Sequence, residues 1–137
     1  MKKTVLSVLA LTALIYSCKK DSDKKSTRDQ LLGKWNSITD IDNHHYDGKD
    51  HLDTTNYPIG YSTIEFKSND SCIQYWNGYP DYSAYKIDGS NLIFIYTNES
   101  DTVTIKSLTD TELRTYSKEI ISADKYNEHT DIAKKSN

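Results

Sequence analysis

Apolar and polar residues begin to alternate at residues 61–67, which read YSTIEFK. A strand that buries one face shows this period of two, because successive side chains point to opposite sides of a sheet. Turn-forming residues follow in residues 68–70, SND, and the same pattern recurs along most of the remaining chain. The alternation therefore predicts antiparallel β-structure.

Seven further strands are predicted around this one, with a turn from Gly78 to Asp81. Links of roughly three to five residues favour an up-and-down meander. Eight strands can close into a barrel that has no exposed edge. We therefore predict an all-β fold, an antiparallel eight-stranded up-and-down β-barrel. The further strands cover residues 34–41, 71–77, 82–87, 92–97, 101–108, 112–117 and about 125–133.

Two segments before residue 61 depart from the strand pattern. A short N-terminal helical turn is predicted with Thr27 as its N-cap, because Gln30 stands three residues later as in a capping box, and Gly33 ends it. Residues 42–58 are polar and predict a long loop. Loops of this length are uncommon inside a compact domain and are often functional.

Alternation also predicts which side chains face the barrel interior. The strand over residues 71–77 stays ambiguous, because Cys72 and Trp76 lie on one face and Ile73 and Tyr75 on the other. The interior is expected either to be packed solid or to leave an apolar cup. The predicted inward set is Trp35, Ile64, Phe66, Tyr85, Ile87, Leu92, Phe94, Val103, Ile105 and Leu113.

The chain begins with the features of an export signal. Residues 1–3 are basic at two positions, and residues 4–16 form an uncharged, largely apolar run. A membrane-spanning helix needs roughly 20 apolar residues, so this run predicts a cleaved signal peptide over residues 1–17. The ending Ile15-Tyr16-Ser17-Cys18 resembles the lipobox of bacterial lipoproteins, which implies lipidation of Cys18 with fatty acids such as palmitate. The alternative is an ordinary signal peptide that happens to end beside a cysteine.

The charged residues 19–25 resemble the export tag of surface lipoproteins in one Gram-negative group. This resemblance implies a lipid anchor in the bacterial outer membrane, either exposed on the surface or on the periplasmic face. The expected organisation is a signal peptide over 1–17, a lipidated flexible tether over 18–27, a β-barrel domain over 28–134 and a tail over 135–137.

The composition excludes several classes of protein. The 137 residues suit one domain, and 17 Lys and Arg against 20 Asp and Glu give a formal net charge of −3. This balance argues against nucleic-acid binding, which needs a basic patch. Two cysteines cannot build a disulfide-dense scaffold, and a lipid on Cys18 would leave Cys72 without a partner. We expect a monomer.

A family resemblance lies in four segments. Residues 31–35, LLGKW, resemble the opening Gly-x-Trp of lipocalins, in which the Trp closes the base of the barrel. Residues 63–67, 85–92 and 105–113 resemble the lipocalin-like domain of small bacterial surface lipoproteins. The resemblance implies an eight-stranded barrel with an apolar cup, but a fold does not name a ligand.

We expect a small apolar or aromatic-stacking ligand in this cup. The alternative is a non-catalytic structural or interaction lipoprotein that docks an envelope protein or a polysaccharide, through its tyrosine-rich hairpin around Gly78 or through residues 42–58. Tyr and Trp suit either role, because they combine a flat apolar face with a polar tip. The candidate ligand-binding residues are Trp35, Phe66, Tyr75, Trp76, Tyr85 and Phe94.

Metal binding and catalysis have little support in the sequence. His44, His45 and His51 occur among aspartates, but neighbouring histidines in a polar loop favour a solvated surface over a metal site. No serine lies in a Gly-x-Ser-x-Gly motif, and Cys72 lies in mid-strand without a histidine nearby in the sequence. We therefore expect no enzyme, no cofactor and no metal.

Overall fold

The structure, a computed structural model, describes residues 25–136, and the predicted signal peptide and Cys18 lie outside that range. The described residues form one short helix and a single antiparallel sheet of nine strands. The elements are α1 (Thr27–Leu31), β1 (Gly33–Tyr46), β2 (Lys49–Asn56), β3 (Ser62–Phe66), β4 (Ser71–Trp76), β5 (Tyr79–Asp88), β6 (Asn91–Ile95), β7 (Ser100–Leu108), β8 (Glu112–Ser122) and β9 (Lys125–Lys135).

Eight of these nine strands close a barrel. From β3 to β9 each strand pairs with the next along the chain, and β1 pairs with both β3 and β9. Trp35 of β1 lies opposite Ile64 on one side and Lys135 on the other, which closes the ring. The predicted eight-stranded up-and-down barrel is confirmed, and this architecture is the one that lipocalins share. The last strand ends at Lys135, one residue beyond the predicted domain boundary.

The predicted loop over residues 42–58 is wrong, because most of this segment forms a β-hairpin. The second half of β1 pairs with β2, from Thr39 opposite Asn56 to Tyr46 opposite Lys49. Asp47 and Gly48 connect them with φ angles of 54° and 68°. A two-residue hairpin turn needs this left-handed backbone, and Asp-Gly favours it. Both faces of the hairpin lie outside the barrel core, so its sequence lacks the apolar alternation by which a strand is predicted.

A second hairpin lies beside the first one and is also longer than predicted. Strand β8 continues to Ser122, where the sequence predicted an end at Ser117, and pairs with β9. Beyond the last pairing of β7 with β8, the strands continue in the order β2, β1, β9, β8, as a four-stranded sheet. We call this part, residues 42–46, 49–56, 117–122 and 125–129, the extension sheet.

The predicted turn from Gly78 to Asp81 is also wrong. The turn consists of Asn77 and Gly78, with φ angles of 49° and 85°, and β5 begins at the next residue. Pro80 already lies in the strand, opposite Tyr75. Asn-Gly is a strong signal for a two-residue hairpin turn, and it outweighs the turn tendency of the later proline.

The helix α1 and the side chain of Trp35 close the base of the barrel. The N-cap is Ser26, one residue before the predicted Thr27, and its Oγ accepts a hydrogen bond of 3.1 Å from the backbone nitrogen of Asp29. Trp35 is fully buried, and its Nε1 donates a 2.7 Å hydrogen bond to the carbonyl oxygen of Leu31. The Nζ of Lys135 lies 4.9 Å from the centre of the Trp35 ring.

The predicted inward set is confirmed, because all ten residues belong to the hydrophobic core or pack against it. Cys72 is buried, and it lies opposite Phe66 in the register of β3 and β4. The ambiguous strand therefore turns the face that carries Cys72 toward the core. Leu31 and Ala133 are core residues that the alternation did not identify.

Candidate ligand-binding site

A cavity of about 360 Å³ lies inside the barrel, toward the end that carries the extension sheet. Cavities of roughly 300–1,000 Å³ are typical of sites for small molecules. The barrel is therefore not packed solid. Apolar side chains form the floor of the cavity, and they come from four different strands. These floor residues are Ile64, Phe66, Leu92, Phe94, Val103 and Leu113.

A carboxylate pair lies in the polar wall of the cavity. Asp40 of β1 and Asp131 of β9 lie directly opposite each other in the sheet, and both line the cavity. The Tyr57 hydroxyl donates a 2.9 Å hydrogen bond to Oδ2 of Asp40. His129 stands next to the pair, with its Nε2 3.8 Å from Oδ1 of Asp40 and its Nδ1 2.8 Å from Oδ1 of Asp42.

The surroundings of Asp131 and Tyr57 raise the pKa of both groups. Burial raises the pKa of Asp131 to about 7, and the carboxylate of Asp40 adds to the rise, while the Ser37 hydroxyl opposes it. Burial, together with the hydrogen bond to Asp40, raises the pKa of Tyr57 to about 12. Asp131 can therefore keep its proton up to near neutral pH, since a buried carboxyl group beside a carboxylate resists ionisation.

Aromatic side chains form the rim of the cavity. Trp76 lines the cavity with 51% of its surface exposed, and Tyr79 lines it with 76% exposed. The rings of Tyr57 and Tyr61 stack at 5.5 Å between their centres, and each meets Trp76 edge-on at 5.3 Å. This packing fixes one side of the indole and leaves its other surface free to contact a ligand.

Four of the six predicted ligand-binding residues line the cavity: Phe66, Tyr75, Trp76 and Phe94. The other two lie elsewhere. Trp35 is buried at the base, and Tyr85 lies in the core, where its hydroxyl donates a 3.1 Å hydrogen bond to the carbonyl oxygen of Lys67. Ligand binding by the four residues that line the cavity remains a prediction.

Sequence reasoning missed the polar wall. Asp40 lies near the end of the predicted strand over residues 34–41. His129 and Asp131 lie in the predicted strand over about 125–133, which has no clear apolar pattern. Because β1 and β9 pair only when the barrel closes, no local spacing brings these residues together. A polar residue at an inward position of the alternation is the one signal that points to them.

The histidines of the extension sheet have separate partners. The Nδ1 of His45 lies 2.7 Å from Oδ1 of Asp50, and the His45 ring stacks on Tyr126 at 4.6 Å. His51 stacks on Tyr46 at 3.9 Å, whereas the Nδ1 of His44 lies 2.8 Å from Oδ1 of Asn127. Among residues 25–136, no three His, Cys, Asp or Glu side chains are grouped so that they could hold a metal ion.

The thiol of Cys72 lies inside the core and next to a hydroxyl group. Its Sγ is 3.0 Å from the Oγ of Ser83, and both residues are buried. Burial raises the pKa of the Cys72 thiol. A buried thiol with a raised pKa is a weak nucleophile, so this geometry does not suit a catalytic cysteine.

The barrel has a counterpart among solved structures. No protein-family model and no curated protein matches the chain. The fold is similar to that of lobster apocrustacyanin A1, with 12% sequence identity, a TM-score of 0.49, and coverage of 80% of this chain and 63% of that one. The chain thus spans less than two thirds of that protein, and the fold assignment rests on the closed strand register. Within residues 25–136, no helix has the length and apolar character to cross a membrane.

Proposed function

We propose that this protein is a non-catalytic, lipocalin-like binding protein whose barrel takes up one small apolar or aromatic-stacking ligand. The observation that carries the proposal is the cavity of about 360 Å³, with its apolar floor and aromatic rim. A packed barrel would have filled this space with side chains, and eight-stranded barrels are wide enough to hold one small ligand. The floor supplies apolar contact, and the polar wall around Asp40 and Asp131 supplies orientation.

Native mass spectrometry of the full chain, purified gently from bacterial envelope membranes, tests this proposal. We expect a bound small molecule of defined mass. Replacing Val103 by Trp should abolish the bound mass, because the larger side chain enters the cavity. Thr102→Trp is the matched control, since Thr102 is the exposed neighbour on β7 and its variant should keep the ligand. If the unmodified chain shows only the mass of the protein, without a bound molecule, this would contradict ligand binding in the barrel.

The proposal includes a lipid anchor on Cys18, which holds the barrel at the outer membrane. Its support is the lipobox-like ending of residues 15–18 behind a short apolar run. Two or more acyl chains give stable membrane attachment, since each buried CH₂ contributes about 0.8 kcal/mol. We expect the Cys18→Ser variant to lose palmitate labelling and to leave the membrane fraction. Sedimentation of that variant with membranes would remove the anchor from the proposal.

Exposed aromatic side chains favour a second candidate function, in which the β4–β5 hairpin contacts an envelope protein or a polysaccharide. Tyr79 and Tyr82 are 76% and 66% exposed, close to the half-exposed Trp76. Aromatic side chains of this kind are frequent at binding surfaces. In-cell cross-linking from position 82 distinguishes the two functions, because a cup that binds only a small molecule gives no linked partner.

A further inference from the structure

We propose that the cavity selects organic ammonium ions, meaning small molecules that carry a protonated amine on an apolar or aromatic body. This inference rests on the proposed binding function and adds the chemical class of the ligand. Its basis is the meeting of carboxylates and aromatic faces around one apolar cavity, without a basic lysine or arginine in the wall.

Most of the charged side chains around the cavity are negative. Asp40, Asp81 and Asp131 line it, and among residues 25–136 no Lys or Arg does so. His129 is the one basic side chain in the lining, and its Nδ1 is held 2.8 Å from Asp42. An anionic ligand such as a fatty acid would therefore meet repulsion, whereas a cation would be attracted.

Two lysines of β8 and β9, Lys118 and Lys134, pair with carboxylates on the other face of the sheet. The Nζ of Lys118 donates a 3.1 Å hydrogen bond to Glu128 and lies 3.5 Å from the centre of the Tyr126 ring. The Nζ of Lys134 pairs with Glu112 at 2.5 Å. Successive side chains of a strand point to opposite faces of the sheet. Lys118 follows Ser117, which lies opposite the cavity residue His129, and Lys134 follows the buried Ala133. Both lysines therefore point away from the face that carries Asp131.

One carboxylate oxygen in the wall has no hydrogen-bond donor. Oδ1 of Asp131 is fully buried and accepts no hydrogen bond from any described residue. Burying an unsatisfied acceptor costs free energy that a donor would recover. An ammonium group that displaces the proton of Asp131 would supply both the donor and the compensating charge, and such charge-assisted hydrogen bonds are among the strong ones.

The rim offers a second, independent attraction for a cation. Trp76 and Tyr79 line the same cavity as the carboxylates, and Asp81 lies two residues after Tyr79 on β5. Aromatic faces attract cations electrostatically, and Trp does so most strongly. Aromatic rings combined with carboxylates form the usual recognition site for an organic ammonium group.

Three probes test the inference: tryptamine, 3-ethylindole and indole-3-propionate. They share the indole ring, and their side chains are cationic, neutral and anionic, respectively. Each is titrated calorimetrically at pH 8 into the full chain, held in nanodiscs of phosphatidylcholine, with empty nanodiscs as the blank. We expect tryptamine to bind at least about tenfold more tightly than 3-ethylindole, the gain of one charge-assisted hydrogen bond. Indole-3-propionate should bind more weakly than both.

Two variants locate the effect. Asp131→Asn should remove the preference for tryptamine over 3-ethylindole, and Asp81→Asn should reduce it. Asp88→Asn is the control, because Asp88 is exposed and does not line the cavity. Equal binding of the three probes would overturn the ammonium selectivity and leave the proposed cup intact. A preference that survives both cavity variants would also overturn it. If no probe binds and native mass spectrometry shows a bare chain, the proposed function itself fails.

Discussion

Replacing Trp35 by Ala is expected to lower the free energy of unfolding by about 3–5 kcal/mol, the usual cost of truncating a buried Trp. The side chain is fully buried and fills the base of the barrel between α1 and the closing strands. Its loss leaves a cavity, removes the ring contact of Lys135 and leaves the carbonyl oxygen of Leu31 without the indole donor. A small domain has a total stability of about 5–15 kcal/mol, so this variant should be near its unfolding threshold.

The matched control for Trp35 is Trp76→Ala, which removes the only other tryptophan of the chain. Trp76 is half exposed at the rim, so its truncation should cost less than about 1.5 kcal/mol, in keeping with its edge-on aromatic contacts. Urea unfolding followed by far-UV circular dichroism compares the two variants without depending on tryptophan fluorescence. Equal losses of stability in the two variants would contradict the role of Trp35 at the base.

The second large effect is expected from Asp131→Asn, as a change in how stability depends on pH. In the folded protein the pKa of Asp131 is raised to about 7 from an ordinary value of 3.8. Between these values the unfolded chain has released the proton that the folded chain still holds, so the stability of the protein falls as pH rises from about 4 to 7. About three pH units at 1.36 kcal/mol each give a loss on the order of 4 kcal/mol.

The Asn variant carries no such proton, and its amide can donate a hydrogen bond to Asp40. We expect it to lose this part of the pH dependence and to be more stable than the unmodified protein at pH 8. Urea midpoints measured at intervals from pH 4 to 8 test this, with Asp88→Asn as the exposed control. A parallel decline in the unmodified protein and the Asp131 variant would contradict the buried, protonated state of Asp131.

The barrel could be predicted from the sequence because its core strands bury one face. Ile64 and Phe66 alternate with polar residues, and so do Val103 and Ile105, and each pair faces the core. The regular period of two within each strand is enough to set the inward face, and short links set the neighbour order. Two ligand-site candidates, Phe66 and Phe94, were also found in this way, because they are aromatic residues at inward positions. Tyr75 and Trp76 were instead candidates because they belong to the tyrosine-rich hairpin.

The extension sheet and the polar wall could not be predicted in this way. The segment from Asp42 to Asn56 has polar residues on both faces, so its strands lack an apolar alternation, and the Asp47-Gly48 turn was the one local signal. Asp40 and Asp131 are distant in sequence and meet only through the pairing of the first and last strands. Their proximity depends on barrel closure and its register, which local sequence patterns do not encode.

The pairing of β1 with β9 also sets the time at which the protein can fold. The side chains of Asn36 and Ser136, 100 positions apart, share a 2.6 Å hydrogen bond. Closing so long a loop costs conformational entropy, so there is an interval during folding in which β1 has not yet paired with β9. During that interval one side of β1 has open backbone groups that other chains could pair with. Closure is therefore a late event that depends on the last strand, and a polypeptide interrupted before β9 would remain open and prone to aggregation and proteolysis.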